Sequence, residues 1–233
     1  MALTDEAILK IRDLIQSDQL APGSRLPPEQ QLSAQLGLSR SSLREAVKAL
    51  ELARVVDVRR GDGTYVTSLA PRVLLEGFGF AVDLLRDDSL PQIMEVRRLL
   101  EPAATALAAL RITDDALEEL AGLLTRMRAA ADDAEQLIGY DTAFHRTVAA
   151  ATGNESLTSL LDGLSSRTLR ARLWRGMISG DVSGQTIAEH EAIYRALRSR
   201  DQFLAQAVAL IHVDTSESWL RTLLSRADER RPA

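Results

Sequence analysis

Asp141, His145, His190 and His212 are the residues whose types and spacing could do chemistry. The chain has three histidines and no cysteine, so any metal site must use imidazole and carboxylate rather than thiolate. Asp141 and His145 stand four positions apart, which puts both side chains on one face of a helix. The same face otherwise reads Leu137, Ile138, Phe144 and Val148, the pattern of a helix turned toward a core. His190 falls in line with Ile187, Tyr194 and Leu197, and His212 with Val208, Thr215 and Trp219, so every histidine lies on an apolar stripe. A buried carboxylate or imidazole is costly unless it is hydrogen-bonded, paired or bound to a metal. Any one of these histidines alone reads as a satisfied core residue. Three of them with an in-register aspartate could instead converge on zinc, or on nickel, manganese or iron. Spacing leaves both readings open.

The elements that would position these residues follow from the rest of the chain. Its 233 residues, 45% of them hydrophobic, suffice for one large or two modest cores. The N-terminus lacks the basic and apolar regions of a signal peptide and no long apolar run occurs, so a cytoplasmic protein with no membrane partner is expected. The net charge of -5 is unevenly spread. Residues 1–70 hold nine Lys/Arg and nine Asp/Glu, leaving 19 and 24 for the remainder. A neutral N-terminal part can still carry a local basic stripe that touches phosphates.

Apolar spacing predicts a first helix from Thr4 to about Ser17. A second opens at Pro27-Pro28 and closes at Gly37, and a third is capped by Ser39, with Leu43, Ala46, Val47 and Leu50 inward. Two helices joined by a tight turn, the second offering Arg40, Ser41, Ser42 and Arg44 at its N-terminal end, have the geometry of a recognition helix. The run VVDVRRGDGTYVT predicts a hairpin about Asp62-Gly63 with Arg59 and Arg60 at its tip, a wing able to reach the sugar-phosphate backbone. The bland alternative is a small helical cap with a solvated charge stripe.

The segment PGSRLPPEQQLSAQLGLSRSSLREAVKALELARVVDVRRGDGTYV resembles the DNA-binding domain of the GntR family of bacterial transcription regulators. The resemblance implies that Arg40, Ser41, Ser42 and Arg44 read the major groove, and that Gly61, next to Arg60, lets the wing approach the minor groove. Gln30 stands where many relatives place a DNA-touching arginine, and Arg54 where a glycine usually follows the recognition helix. If that turn needs a positive φ, arginine costs roughly 1 kcal/mol there.

Beyond Ala70-Pro71 strand signals end, and helices are expected near 71–86, 89–110, 114–131, 133–151, 154–176, 183–199 and 201–226. The fold class is therefore mainly α, a winged helix-turn-helix over 1–70 followed by an all-α bundle of six or seven helices over 71–233. Residues 93–220 resemble the FCD effector domain of the FadR subfamily, through Glu95-Val96-Arg97, Glu101, Asp141-x3-His145, Gly153-Asn154, His190, Asp201 and His212. That resemblance implies a divalent metal on Asp141, His145, His190 and His212, with Arg97 pointing into the effector cavity. Arg97 could form a bidentate fork with a small carboxylate effector; the plainer alternative is a surface pair with Glu101. Asn154 reads as a helix cap, and Arg167, Arg170, Arg172 and Arg175 as a solvated or dimer-facing stripe.

The expectation is a homodimeric, ligand-responsive transcription repressor on a pseudo-palindromic double-stranded DNA operator. The alternatives are a metal-dependent enzyme, since Asp with three His can activate water, and a constitutive DNA-binding protein with a structural metal. Against an enzyme stand the absence of a free general base within a motif and the unexplained winged helix.

Overall fold

The computed structural model describes residues 3–85, 89–165 and 182–229. Its contacts divide the chain into two compact units, 1–77 and 78–233. Among the described residues, no helix is long and apolar enough to cross a membrane.

The first unit places α1 (Leu3–Gln16), α2 (Glu29–Leu36) and α3 (Arg40–Leu52) ahead of antiparallel strands β1 (Val56–Arg59) and β2 (Gly63–Val66). Its core joins Ala7 and Ile11 of α1 to Leu32 of α2, Leu43, Ala46 and Leu50 of α3, and Val56 and Val66 of the strands. The helix-turn-helix is set by two caps. Gly37 adopts φ 65° and lets Leu38 N–H donate to the Ser33 carbonyl at 2.9 Å; Ser39 Oγ then accepts the Ser42 N–H at 3.1 Å.

The hairpin pairs Val56 with Val66 and Arg59 with Gly63. Its connection is Arg60-Gly61-Asp62, with Gly61 at φ 77° and Asp62 N–H donating to the Arg59 carbonyl at 3.1 Å. The tip therefore centres on Arg60-Gly61, and Arg59, expected there, belongs to the strand. Residues 23–26 flank β2, with Leu26 N–H donating to the Thr64 carbonyl at 2.8 Å and Val66 N–H to the Ser24 carbonyl at 2.9 Å. Gly63 adopts φ 145°, a conformation that L side chains rarely take, which is what favours glycine there; a Cβ would also displace the Arg25 guanidinium.

In the second unit six helices of ten or more residues are described: α6 (Leu90–Arg111), α7 (Asp114–Ala129), α8 (Ala134–Ala150), α9 (Glu155–Leu164), α10 (Val182–Arg198) and α11 (Gln202–Glu229). Side chains of Thr113, Asp133, Asn154 and Asp201 cap α7, α8, α9 and α11. The helix expected over 71–86 is instead two short ones, α4 (Pro71–Leu74) and α5 (Glu76–Asp83). The interruption is at Leu75, whose φ −91° and ψ 0° leave the helical region, while Gly77 and Gly79 lie within α5. The helix expected over 154–176 is described only to Leu164; the remainder and the arginines from Arg167 to Arg175 lie outside the described residues.

Core residues Met94, Leu120, Met127, Leu137, Phe144, Leu197 and Val213 tie α6, α7, α8, α10 and α11 together. Helices α5 and α9 approach closely at two glycines, where a Cβ on Gly163 would meet Phe78 Cδ1 at 2.6 Å and one on Gly79 would meet Gly163 Cα at 3.4 Å.

Arg54 takes the left-handed conformation, φ 58°, that its position called for. It closes α3 with its N–H donating to the Glu51 carbonyl at 3.0 Å and Val55 N–H to the Leu50 carbonyl at 2.9 Å. An exposed ion pair, Arg54 Nε to Glu76 Oε2 at 3.0 Å, returns little of the strain. Arg54→Gly is expected to raise stability by up to about 1 kcal/mol, read as a higher urea midpoint at unchanged slope. A lower midpoint would contradict the strain assignment.

Candidate functional site

Three helices bring the histidines together: α8 carries Asp141 and His145, α10 carries His190 and α11 carries His212. One ligating atom from each histidine lies within 4.8 Å of the others. Asp141 is 3%, His190 0% and His212 4% exposed, so the group belongs to the interior. Asp141 Oδ1 stands 2.9 Å from His190 Nε2 and 3.5 Å from His145 Nε2, and the two ring nitrogens are 3.1 Å apart. Ligands about 2.0–2.1 Å from a tetrahedral zinc are separated by about 3.3 Å, so these spacings suit a shared ion.

Tautomers sharpen that fit. His190 Nδ1 is 2.7 Å from the Thr186 carbonyl oxygen, which can only accept, so Nδ1 carries the proton. The neutral ring then presents a lone pair at Nε2, facing the Asp141 carboxylate. Two acceptors at 2.9 Å repel unless a cation lies between them: a second proton on the ring or a metal. His212 Nδ1 likewise meets Glu189 Oε2 at 2.9 Å, leaving its Nε2 unprotonated. Burial pushes the His212 pKa down, the Glu189 hydrogen bond opposes this, and the neighbouring His190 adds to the lowering. The neutral ring is the form that ligates.

Beside His145 a cavity of about 30 Å³, the room of one water, is lined by Glu101, Thr105, Thr142, Arg146, Asp162 and Ser165 among others. Arg97 is 1% exposed, so its pair with Glu101 is buried rather than superficial: Arg97 Nε donates to Glu101 Oε1 at 2.6 Å, and Ser165 Oγ donates to the same oxygen at 3.3 Å. Burial works against the Arg97 charge, but the Coulomb attraction of Glu101, their hydrogen bond and the field of Asp141 outweigh it and raise the pKa. Arg97 thus stands behind Glu101, which faces the cavity. Arg146, which sequence reasoning passed over, lines the cavity itself. Glu189 was also missed: nothing in its spacing separates it from a solvated helical glutamate.

In the first unit Arg40, Ser41, Arg44, Arg60 and Gly61 are exposed. Ser42 is not with them: it is 9% exposed and its hydroxyl lies 2.8 Å from Ser39 Oγ, so it secures the start of α3. Arg44 Nε meets Glu29 Oε2 at 2.8 Å, and Arg59 meets Asp57 at 2.9 Å with its guanidinium 4.2 Å over the Tyr65 ring.

Comparison with known proteins matches residues 3–66 to the family described as bacterial regulatory proteins, gntR family, and residues 92–215 to the FCD domain. The chain belongs to the GntR family. Its members are DNA-binding transcription regulators rather than enzymes, so the metalloenzyme alternative falls away. Among its relatives is the HTH-type transcriptional regulator LutR of Bacillus subtilis, 32% identical over 89% of this chain and 96% of that protein. The galactonate operon transcriptional repressor of Escherichia coli is 30% identical over 94% and 97%. The putative L-lactate dehydrogenase operon regulatory protein of the same species is 29% identical over 97% and 88%. A solved GntR structure from Streptococcus agalactiae superposes with a TM-score of 0.66 at 28% identity, covering 92% of this chain and 99% of that one. GntR regulators bind DNA operators and usually act as dimers.

Proposed function

We propose that this GntR regulator is a cytoplasmic, ligand-responsive repressor in which residues 1–70 read DNA and 71–233 hold a divalent metal, a small organic acid and a second copy of the chain. The metal, zinc before nickel, manganese or iron, is assigned to Asp141, His145, His190 and His212. The observation that carries this is the buried Asp141 carboxylate 2.9 Å from a His190 nitrogen whose proton is held on the other side of the ring. With the ion bound, an open coordination position takes a carboxylate oxygen.

A hydroxy acid suits the remaining groups, since Glu101 accepts hydroxyl hydrogens while Thr105 and Ser165 can do either. Two relatives bear the names of operons for hydroxy acids, galactonate and L-lactate, which supports this class. Arg97 serves the effector's negative charge from behind Glu101; to form a bidentate fork it must leave that partner, whereas Arg146 already faces the cavity. A cavity of about 30 Å³ has to widen for any such acid. Its Leu161, Asp162 and Ser165 wall is α9 and the residue after it, and α9 packs through Gly163 on Phe78 and Gly79 of α5. Widening therefore presses on the helix that follows the winged unit in the chain, and effector binding favours a state with lower operator affinity. DNA contacts are assigned to Arg40, Ser41 and Arg44 in the major groove and to Arg60 and Gly61 at the wing. Ser42 acts through the Ser39 cap.

The second copy is assigned to the face shared by α6 and α11. These two helices pack along each other, and both leave large apolar residues outward: Leu99 is 70% and Leu110 56% exposed, Phe203 74% and Ile211 60%. Burying such a stripe against its own symmetry mate forms the isologous contact that a two-fold operator needs.

A thermal-shift screen of metal-loaded protein against hydroxy acids, sugar acids and dicarboxylates is expected to give a stabilising hit, abolished by His190→Ala, that also loosens a selected operator duplex. No hit in any of these classes would sink the organic-acid assignment. Leu99→Glu is expected to convert the dimer to monomer in light scattering and to weaken operator binding by at least about tenfold, since half-sites are then bound singly. A stable Leu99→Glu dimer would place the interface elsewhere.

A further inference from the structure

We infer that Glu189 is a positioning residue of the metal centre, fixing the His212 ring so that its Nε2 lone pair faces the site; this rests on the metal assignment above. Both oxygens of Glu189 are engaged. Oε2 accepts from His212 Nδ1 at 2.9 Å, and Oε1 accepts from Gln185 Nε2, one turn earlier on α10, at 3.3 Å. The Glu189 side chain is 13% exposed and that of His212 5%, so the contact is shielded from water and the carboxylate's field is little screened.

Geometry explains why a residue adjacent to His190 serves a different histidine. Successive helical side chains diverge by about 100°, so while His190 points to Asp141 and His145, Glu189 points along the seam between α10 and α11. His190 is oriented by a neutral partner, the Thr186 carbonyl one turn back on its own helix. His212 is oriented by a charged one from the neighbouring helix. A carboxylate in that place selects the Nδ1–H tautomer, makes Nε2 a stronger donor to a cation, and adds a second negative charge beside Asp141 to balance a divalent ion. Glu191, on the other side of His190, is taken up by Arg128 at 2.8 Å and Arg195 at 3.6 Å and provides the control.

The rival role is a plain buried hydrogen bond that joins α10 to α11; it would alter the stability of the metal-free protein without altering how the metal is held. Zinc affinity by competition with a chromophoric chelator, and the visible spectrum of the cobalt-loaded full chain, separate the two. Glu189→Gln keeps the size but can offer an N–H to Nδ1, stabilising the wrong tautomer. It is expected to weaken zinc about 10–100-fold and to change the cobalt band intensities, whereas Glu191→Gln stays within about twofold of the parent. Gln185→Ala, at an exposed position away from the core, is expected to weaken zinc in the same direction by a smaller factor, and so reports even if Glu189→Gln folds poorly. Zinc affinity and cobalt spectrum unchanged in Glu189→Gln, or an equal loss in Glu191→Gln, would overturn the role of Glu189. Failure of the parent protein to bind either ion would overturn the metal assignment itself.

Discussion

An aspartate 3% exposed, facing an imidazole nitrogen whose proton is committed elsewhere, is the constraint on which the second unit depends. A buried carboxylate costs several kcal/mol unless cations offset it; Arg97 does so in part through its field, and a metal would do so at the histidines. Relief requires α8, α10 and α11 to meet in one register, because the three histidines come one from each. The surrounding core is ordinary by comparison: Leu137 and Phe144 on α8 and Leu197 on α10 are buried apolar side chains.

How much of this is legible in the sequence depends on whether a feature is local. The caps at Ser39, Gly37 and Asn154 were readable, since each satisfies backbone groups within its own turn. The positive φ at Arg54 was left open by its residue type and suggested only by the glycine that similar sequences place there. The inward stripes bearing Asp141, His190 and His212 were readable as periodicity, and they are buried. Features set between segments were not. The break at Leu75 left no mark in the apolar periodicity. Ser41 and Ser42 look equivalent as letters and both hydroxyls reach Ser39 Oγ, but the turn of α3 buries Ser42 and leaves Ser41 exposed. Arg97 and Glu101 were visible as an i, i+4 pair, but whether such a pair is superficial or buried depends on which helices cover it. Glu189 acquires its meaning from His212, on another helix, and one-dimensional spacing holds no trace of that.

The two units place their charges to different ends. On the winged unit Arg44 and Arg59 rest in exposed ion pairs with Glu29 and Asp57. Such pairs are worth about 0–1 kcal/mol, so a DNA backbone can replace the acidic partner at small cost. In the helical unit the Arg97–Glu101 pair and the Asp141–His190 contact are buried, and such partners cannot be exchanged cheaply. Arg97 is hydrogen-bonded to Glu101 and feels the field of Asp141, which meets His190, and α9, one wall of the cavity, packs on α5 through Gly163. An acid that enters the cavity and engages these groups must therefore move α9 or leave it strained.

Elemental analysis of the purified protein tests the central claim most directly. The account predicts close to one transition-metal ion per chain, zinc foremost, in the parent protein and its loss in Asp141→Asn, which keeps the size of the side chain but removes the charge that demands a cation. A parent protein free of metal after growth and dialysis with zinc present, or an Asp141→Asn variant that retains the full complement, would contradict it.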